Sequence, residues 1–154
     1  MRKAIALIGV VAAVSLTVTL VSSASPKRVS APMTVRVIEH ATTDTVIDTG
    51  AKGDSTGDLL TWHNRIYSAG NVAVVGRDQG DCIRISPAAG SWECRWITWV
   101  PGGAITVEGP FYDTRNAPLV ITGGLGVFKN ARGTMSLVAR KGGAEYAFIF
   151  HVIP

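Results

Sequence analysis

From Met33 onward, apolar residues recur at alternate positions or in short runs, and Gly-, Pro-, Asn- and Asp-rich stretches interrupt them at short intervals. That rhythm predicts strands joined by turns, with no amphipathic helix. The first strand is read over Met33–Ala41, followed by a polar loop over Thr42–Thr56. A long second strand is read over Gly57–Ala69, and Gly70-Asn71 turns it into Val72–Arg77. Cys82–Ser86 and Trp92–Val100 read as a hairpin, and Pro101-Gly102-Gly103 leads into Ala104–Tyr112. Leu119–Thr122, Arg132–Arg140 and Ala144–Val152 complete the set, which amounts to about eight strands. An all-β, eight-stranded antiparallel β-barrel follows, a size whose closure leaves room for side chains or one small ligand.

Side chains two apart on a strand share a face. Val35, Val37, Glu39 and Ala41 therefore lie together, as do Leu60, Trp62, Asn64 and Ile66. Ile105, Val107, Gly109 and Phe111 form a third such set, and Tyr146, Phe148, Phe150 and Val152 an aromatic stripe. Glu39 and Asn64 interrupt faces that are otherwise apolar. A carboxyl on an apolar wall is costly to ionise, so its pKa rises and it becomes a candidate general acid or base. The competing reading places Glu39 at the rim, solvated or paired with Arg36, Arg65 or Arg132, and makes Asn64 a satisfier of backbone groups.

The two cysteines change the picture next. If 82–86 and 90–95 pair around Pro87-Ala88-Ala89, Cys82 falls opposite Cys94. A disulfide is expected, with two buried free thiols as the alternative. Export fits this: Arg2 and Lys3 precede an apolar run from Ala4 to Val21, and Ser22-Ser23-Ala24 offers a cleavage site. The expected division is a signal peptide over 1–24, a flexible lead-in over 25–32 and one domain over 33–154. Secretion or a cell-envelope location follows. An uncleaved N-terminal membrane anchor is the alternative, since ~20 apolar residues span a bilayer.

Charge and motifs exclude several functions. The formal charge of +4 includes Arg2 and Lys3, and what remains forms no basic stripe suited to nucleic acid. His40, His63 and His151 lack metal-ligand spacing, so no metal site is expected. Gly123-Gly124-Leu125-Gly126 lacks the Lys-Ser/Thr of a phosphate loop and reads as turn chemistry.

Two glycine motifs point to a family. Gly109-Pro110-Phe111 and the run Ile121-Thr122-Gly123-Gly124-Leu125-Gly126-Val127-Phe128-Lys129-Asn130-Ala131-Arg132-Gly133 resemble the allene oxide cyclase and dirigent superfamily. Gly57 to Ser68 and Val75 to Cys82 are similar to further segments of the plant cyclases, so the resemblance covers roughly 33–152. It implies a β-barrel around an apolar cavity, with Glu39 matching the acid credited with opening an epoxide. Asn64 matches an asparagine that helps hold a water, and Cys82 a cavity-wall cysteine. Ala41 stands where the cyclases have a second water-holding asparagine, and Phe111 keeps a tyrosine's ring without its hydroxyl. The water site is therefore only partly reproduced.

The combined expectation is an exported barrel that binds a small apolar molecule and steers its cyclisation or isomerisation without a cofactor. Glu39 and Asn64 are its candidate catalytic residues, and Val37, Trp62, Phe111 and Phe148 its candidate ligand contacts. The alternative is a non-catalytic, dirigent-like protein that orients an intermediate made by a partner enzyme, or a carrier. Relatives' habit of forming trimers implies a homotrimer, with Trp99, Thr106 and Glu108 as interface candidates.

Overall fold

The computed structural model describes residues 31–153. The expected leader over 1–24, and the lead-in as far as residue 30, lie outside the described residues. Nine strands form: β1 (Met33–His40), β2 (Thr45–Ile47), β3 (Leu59–Ser68), β4 (Val74–Ser86), β5 (Ser91–Val100), β6 (Gly103–Tyr112), β7 (Ala117–Gly126), β8 (Arg132–Arg140) and β9 (Glu145–Ile153). Neighbours from β3 to β9 pair antiparallel in sequence order, β9 pairs with β1, and β1 pairs with β3. That last pairing closes eight strands into a barrel. The three-residue β2 is an addition on the same edge of β3 that β1 uses.

Strand order and face follow the alternation read from the sequence, but three details differ. Val72–Arg77 and Cys82–Ser86 are not separate strands; β4 runs unbroken through Asp78, Gln79, Gly80 and Asp81. A glycine on a wall facing two indoles relieves crowding without ending the strand: a Cβ at Gly80 would meet Trp96 Cβ at 2.3 Å. Second, the glycine cluster is not a turn. Gly123, Gly124 and Gly126 lie inside β7, opposite Thr106, Ile105 and Gly103 of β6. Gly126 has φ of 64° at the end of that strand, and the reversal itself falls on residues 127–131. Third, the polar loop before β3 contains β2.

Cys82 and Cys94 are cross-strand partners and form the disulfide. Their register is the one that the hairpin reading required.

The lumen is filled over most of its length. Ile66, Ile105, Leu119, Ile121, Met135, Phe150 and Val152 interdigitate there, each at most 2 % exposed. Eight strands enclose a space that such side chains can pack. Room remains only toward the end where β1 stops and β3 begins, and this end positions the site. Its floor is tied down by Arg84, whose guanidinium meets Asp54 at 2.7 and 2.6 Å and Asp113 at 2.7 Å, and lies over Trp92. Those contacts pin the loop between β2 and β3 to the barrel.

Candidate functional site

The site begins with a gap in the wall. β1 pairs with β3 over Arg65–Ser68 and β2 over Leu59–Thr61, leaving 62–64 without a ladder partner on that side. Asn64 fills the breach. Its Oδ1 accepts from the backbone N–H of Thr42 and of Thr43, each at 3.0 Å. Two N–H donors can face only an oxygen, so the amide orientation is fixed by its partners. The Nδ2 hydrogens therefore point the other way, to Glu39 Oε1 at 2.8 Å and Asp44 Oδ1 at 2.7 Å. Every polar valence of this amide is used.

Glu39 is 5 % exposed, not solvated at a rim, and no arginine meets it. Its neighbour is a second acid. Asp78 sits opposite Asn64 on β4, is 0 % exposed, and accepts from Trp62 Nε1 through Oδ2 at 3.1 Å. Burial, and then the Asp78 charge, push the Glu39 carboxyl well above its ordinary range. Burial likewise pushes Asp78 up to about 7, against the donors Trp62 and Glu39. Each carboxyl acts on the other: Asp78 raises Glu39 toward its neutral form, and Glu39 holds Asp78 lower than burial alone would. Asp78 Oδ1 has no hydrogen-bond partner among the described residues.

A cavity lies against this pair. It is lined by Glu39, Asp44, Leu60, Trp62, Cys82, Cys94, Trp96, Phe111, Leu137, Tyr146 and Phe148, with about 40 Å³ open to the centres of water molecules. That is room for roughly three waters. Asp44 is exposed and marks the mouth. Aromatic rings define the walls: Trp62 and Trp96 meet edge to face at 5.7 Å, and Phe111 and Tyr146 at 5.8 Å. Burial, followed by the charges of Glu39, Asp44 and Asp113, raises the Tyr146 phenol.

Of the residues singled out from the sequence, Glu39, Trp62, Phe111, Phe148 and both cysteines line this cavity. Asn64 does not; it stands behind Glu39 and holds it. Val37 packs into the core instead. His63 and His151 are exposed, while His40 stacks on Tyr67 and bonds Asn71 at 2.7 Å. Sequence reasoning missed Asp78 and Asp44. Asp78 is four residues from Cys82 and so shares its face, a signal hidden by reading a strand break between them.

Neither a protein-family model nor a curated protein matches the chain. Solved structures do. A pyocyanin demethylase superposes with a TM-score of 0.65 at 20 % identity, covering 77 % of this chain and 100 % of its own. The pterocarpan synthase dirigent protein GePTS1 gives 0.63 at 15 %, covering 89 % and 96 %. AbnU, an exo-specific intermolecular Diels-Alderase, gives 0.60 at 14 %, covering 80 % and 98 %. The chain thus shares its barrel fold with these solved structures, a dirigent protein among them. Likeness at these identities is a statement about fold, and function has to come from the site.

Proposed function

We propose that this protein is a cofactor-free isomerase or cyclase acting on one small unsaturated molecule held in the aromatic cavity. The observation that carries this reading is the Glu39 carboxyl, 5 % exposed, lining an aromatic cavity with a second buried carboxyl, Asp78, beside it, both raised above their ordinary range by burial. Glu39 would give its proton to the ligand, and Asp78 would stabilise the positive charge that develops. A proton lost from another ligand atom would return to the pair, so the reaction needs no net acid, base or redox partner. Rings on all sides would hold one reactive conformer and exclude water. Neighbours whose names include a dirigent protein and a Diels-Alderase support a barrel that orients ring-forming chemistry. Because the cavity is small, a ligand beyond a single ring needs Phe111 or Tyr146 to move. Export is part of the proposal, supported by the disulfide and by the apolar N-terminal run.

The test is incubation with a library of small unsaturated epoxides and enones. Native mass spectrometry reads retention, and chromatography reads conversion at unchanged mass. Retention with conversion that falls at least about 100-fold in Glu39→Gln supports the proposal. A ligand retained but never converted would replace it with the carrier or orienting reading.

A further inference from the structure

Two carboxyls, Glu39 and Asp44, line one end of the cavity, a third, Asp78, is buried beside Glu39, and no basic side chain among the described residues lines the cavity. Glu39 comes from β1, Asp44 from the segment after β1, and Asp78 from β4. The arginines that could offset them are turned away or occupied. Arg36, Arg65 and Arg77 are exposed on the outer face, Arg77 lying over Trp99 at 4.4 Å. Arg84 is engaged by Asp54 and Asp113. Asn64 spends both amide hydrogens on Glu39 and Asp44, and Asp78 Oδ1 has no hydrogen-bond partner among the described residues.

The opposite character of the remaining walls matters equally. Trp62, Trp96, Phe111, Tyr146 and Phe148 offer mainly ring faces and edges, the Tyr146 phenol and the unpartnered Trp96 Nε1 being their polar groups not already engaged. Aromatic rings attract cations, most strongly where water is excluded. The carboxyls are also too dispersed for a metal ion: no three His, Cys, Asp or Glu side chains among the described residues form a metal-binding group. A diffuse positive charge on a flat organic body fits both halves of the cavity.

We infer that the ligand of this cavity is an organic cation, an unsaturated or aromatic molecule bearing a quaternary or protonated nitrogen that sits beside Asp44 and the Glu39–Asp78 pair. This inference rests on the reading of the cavity as a small-molecule site. It differs from the sequence-based expectation of a small apolar ligand in adding a positive charge. A cation brings positive charge to a cavity end that holds carboxyls and no base, which a neutral ligand does not.

The probes are N-methylpyridinium and its uncharged isostere toluene, single rings of the size that the cavity admits, with binding read by calorimetry on the intact folded protein. The cation is expected to bind about tenfold more tightly at pH 8. Its advantage should shrink at pH 5, where the pair takes up protons; the groups facing Glu39 are Asp78, Asp44 and Tyr146, all acidic. Asp44→Asn, at an exposed position, should weaken the cation about three- to tenfold and leave toluene unchanged. Equal or tighter binding of toluene overturns the inference while leaving the small-molecule site intact. Binding of neither probe overturns the site itself. The formal charge of the whole chain is positive, so general surface attraction does not account for a preference for the cation.

Discussion

Asp78 lies directly across from Asn64 on the neighbouring strand, and this pairing brings a second buried carboxyl to Glu39. Asn64 touches Glu39 at 2.8 Å while its other face receives two backbone N–H groups. One amide thus seals a breach in the barrel wall and aims the acid. Removing it affects both tasks. Asn64→Leu leaves Thr42 and Thr43 N–H without acceptors and should cost roughly 2–4 kcal/mol, read by urea denaturation. A loss below 1 kcal/mol would mean that water replaces the amide without penalty.

Stability should fall as pH rises through neutrality. Asp78 is raised from 3.8 to about 7 and Glu39 is raised well above 4.5, so the folded chain holds protons that the unfolded chain has lost. Their contribution is full below about pH 4 and fades as the pH passes the folded values. A shift of this size corresponds to a few kcal/mol, at ~1.4 kcal/mol per unit. Asp58 acts in the opposite sense: the N–H groups of Ser55 and Thr49 hold its carboxyl low, and its contribution is lost on acidification. Denaturation midpoints from pH 4 to 9 should peak in mild acid, and Asp78→Asn should flatten the alkaline side. A wild-type profile that is level from pH 5 to 9 contradicts this account of the pair.

Reduction of the Cys82–Cys94 bridge should destabilise the barrel by about 3 kcal/mol, since the cross-link spans 12 residues of separation and limits the unfolded chain. The same sulfurs line the cavity, so ligand retention should weaken in parallel. Unfolding curves with and without dithiothreitol provide the comparison.

Arg84→Met should release the loop that precedes β3. The substitution leaves Asp54 and Asp113 without their shared cation and Trp92 without its stacking partner. The expected cost is roughly 1–2 kcal/mol, since both carboxylates left behind are partly exposed, with new proteolytic cuts between residues 48 and 58. Arg84→Lys keeps the charge without the two-pronged contact to Asp54, so it should fall between the two. Unchanged proteolysis in Arg84→Met would show that the loop is held by other contacts.

Much of this was legible because strands write their burial in alternation. Glu39, Trp62, Phe111 and Phe148 were assigned inward on that basis, and the structure places all four on the cavity wall. Asp78 escaped because Gly76 and Gly80 look like strand breakers in isolation. They are in fact sites of close approach within β4: a Cβ at Gly76 would lie 1.9 Å from the Trp99 carbonyl oxygen. Asp44 was unreadable for a different reason. It lies on no strand, and only the detour between β1 and β2 turns it toward the mouth.

By itself the sequence determined the strand rhythm, the inward faces and the register that joins Cys82 to Cys94, because each depends on neighbours along the chain or across one tight hairpin. Tertiary structure decided how full the lumen is and which charges meet at its end. The β3–β4 pairing shifts by one residue at a bulge between Ile66 and Tyr67. Continued without that bulge, the register set by the turn would put Arg77, not Asp78, opposite Asn64. A one-residue slip reverses every face, and here it decides whether Asn64 faces a base or a second buried acid beside Glu39.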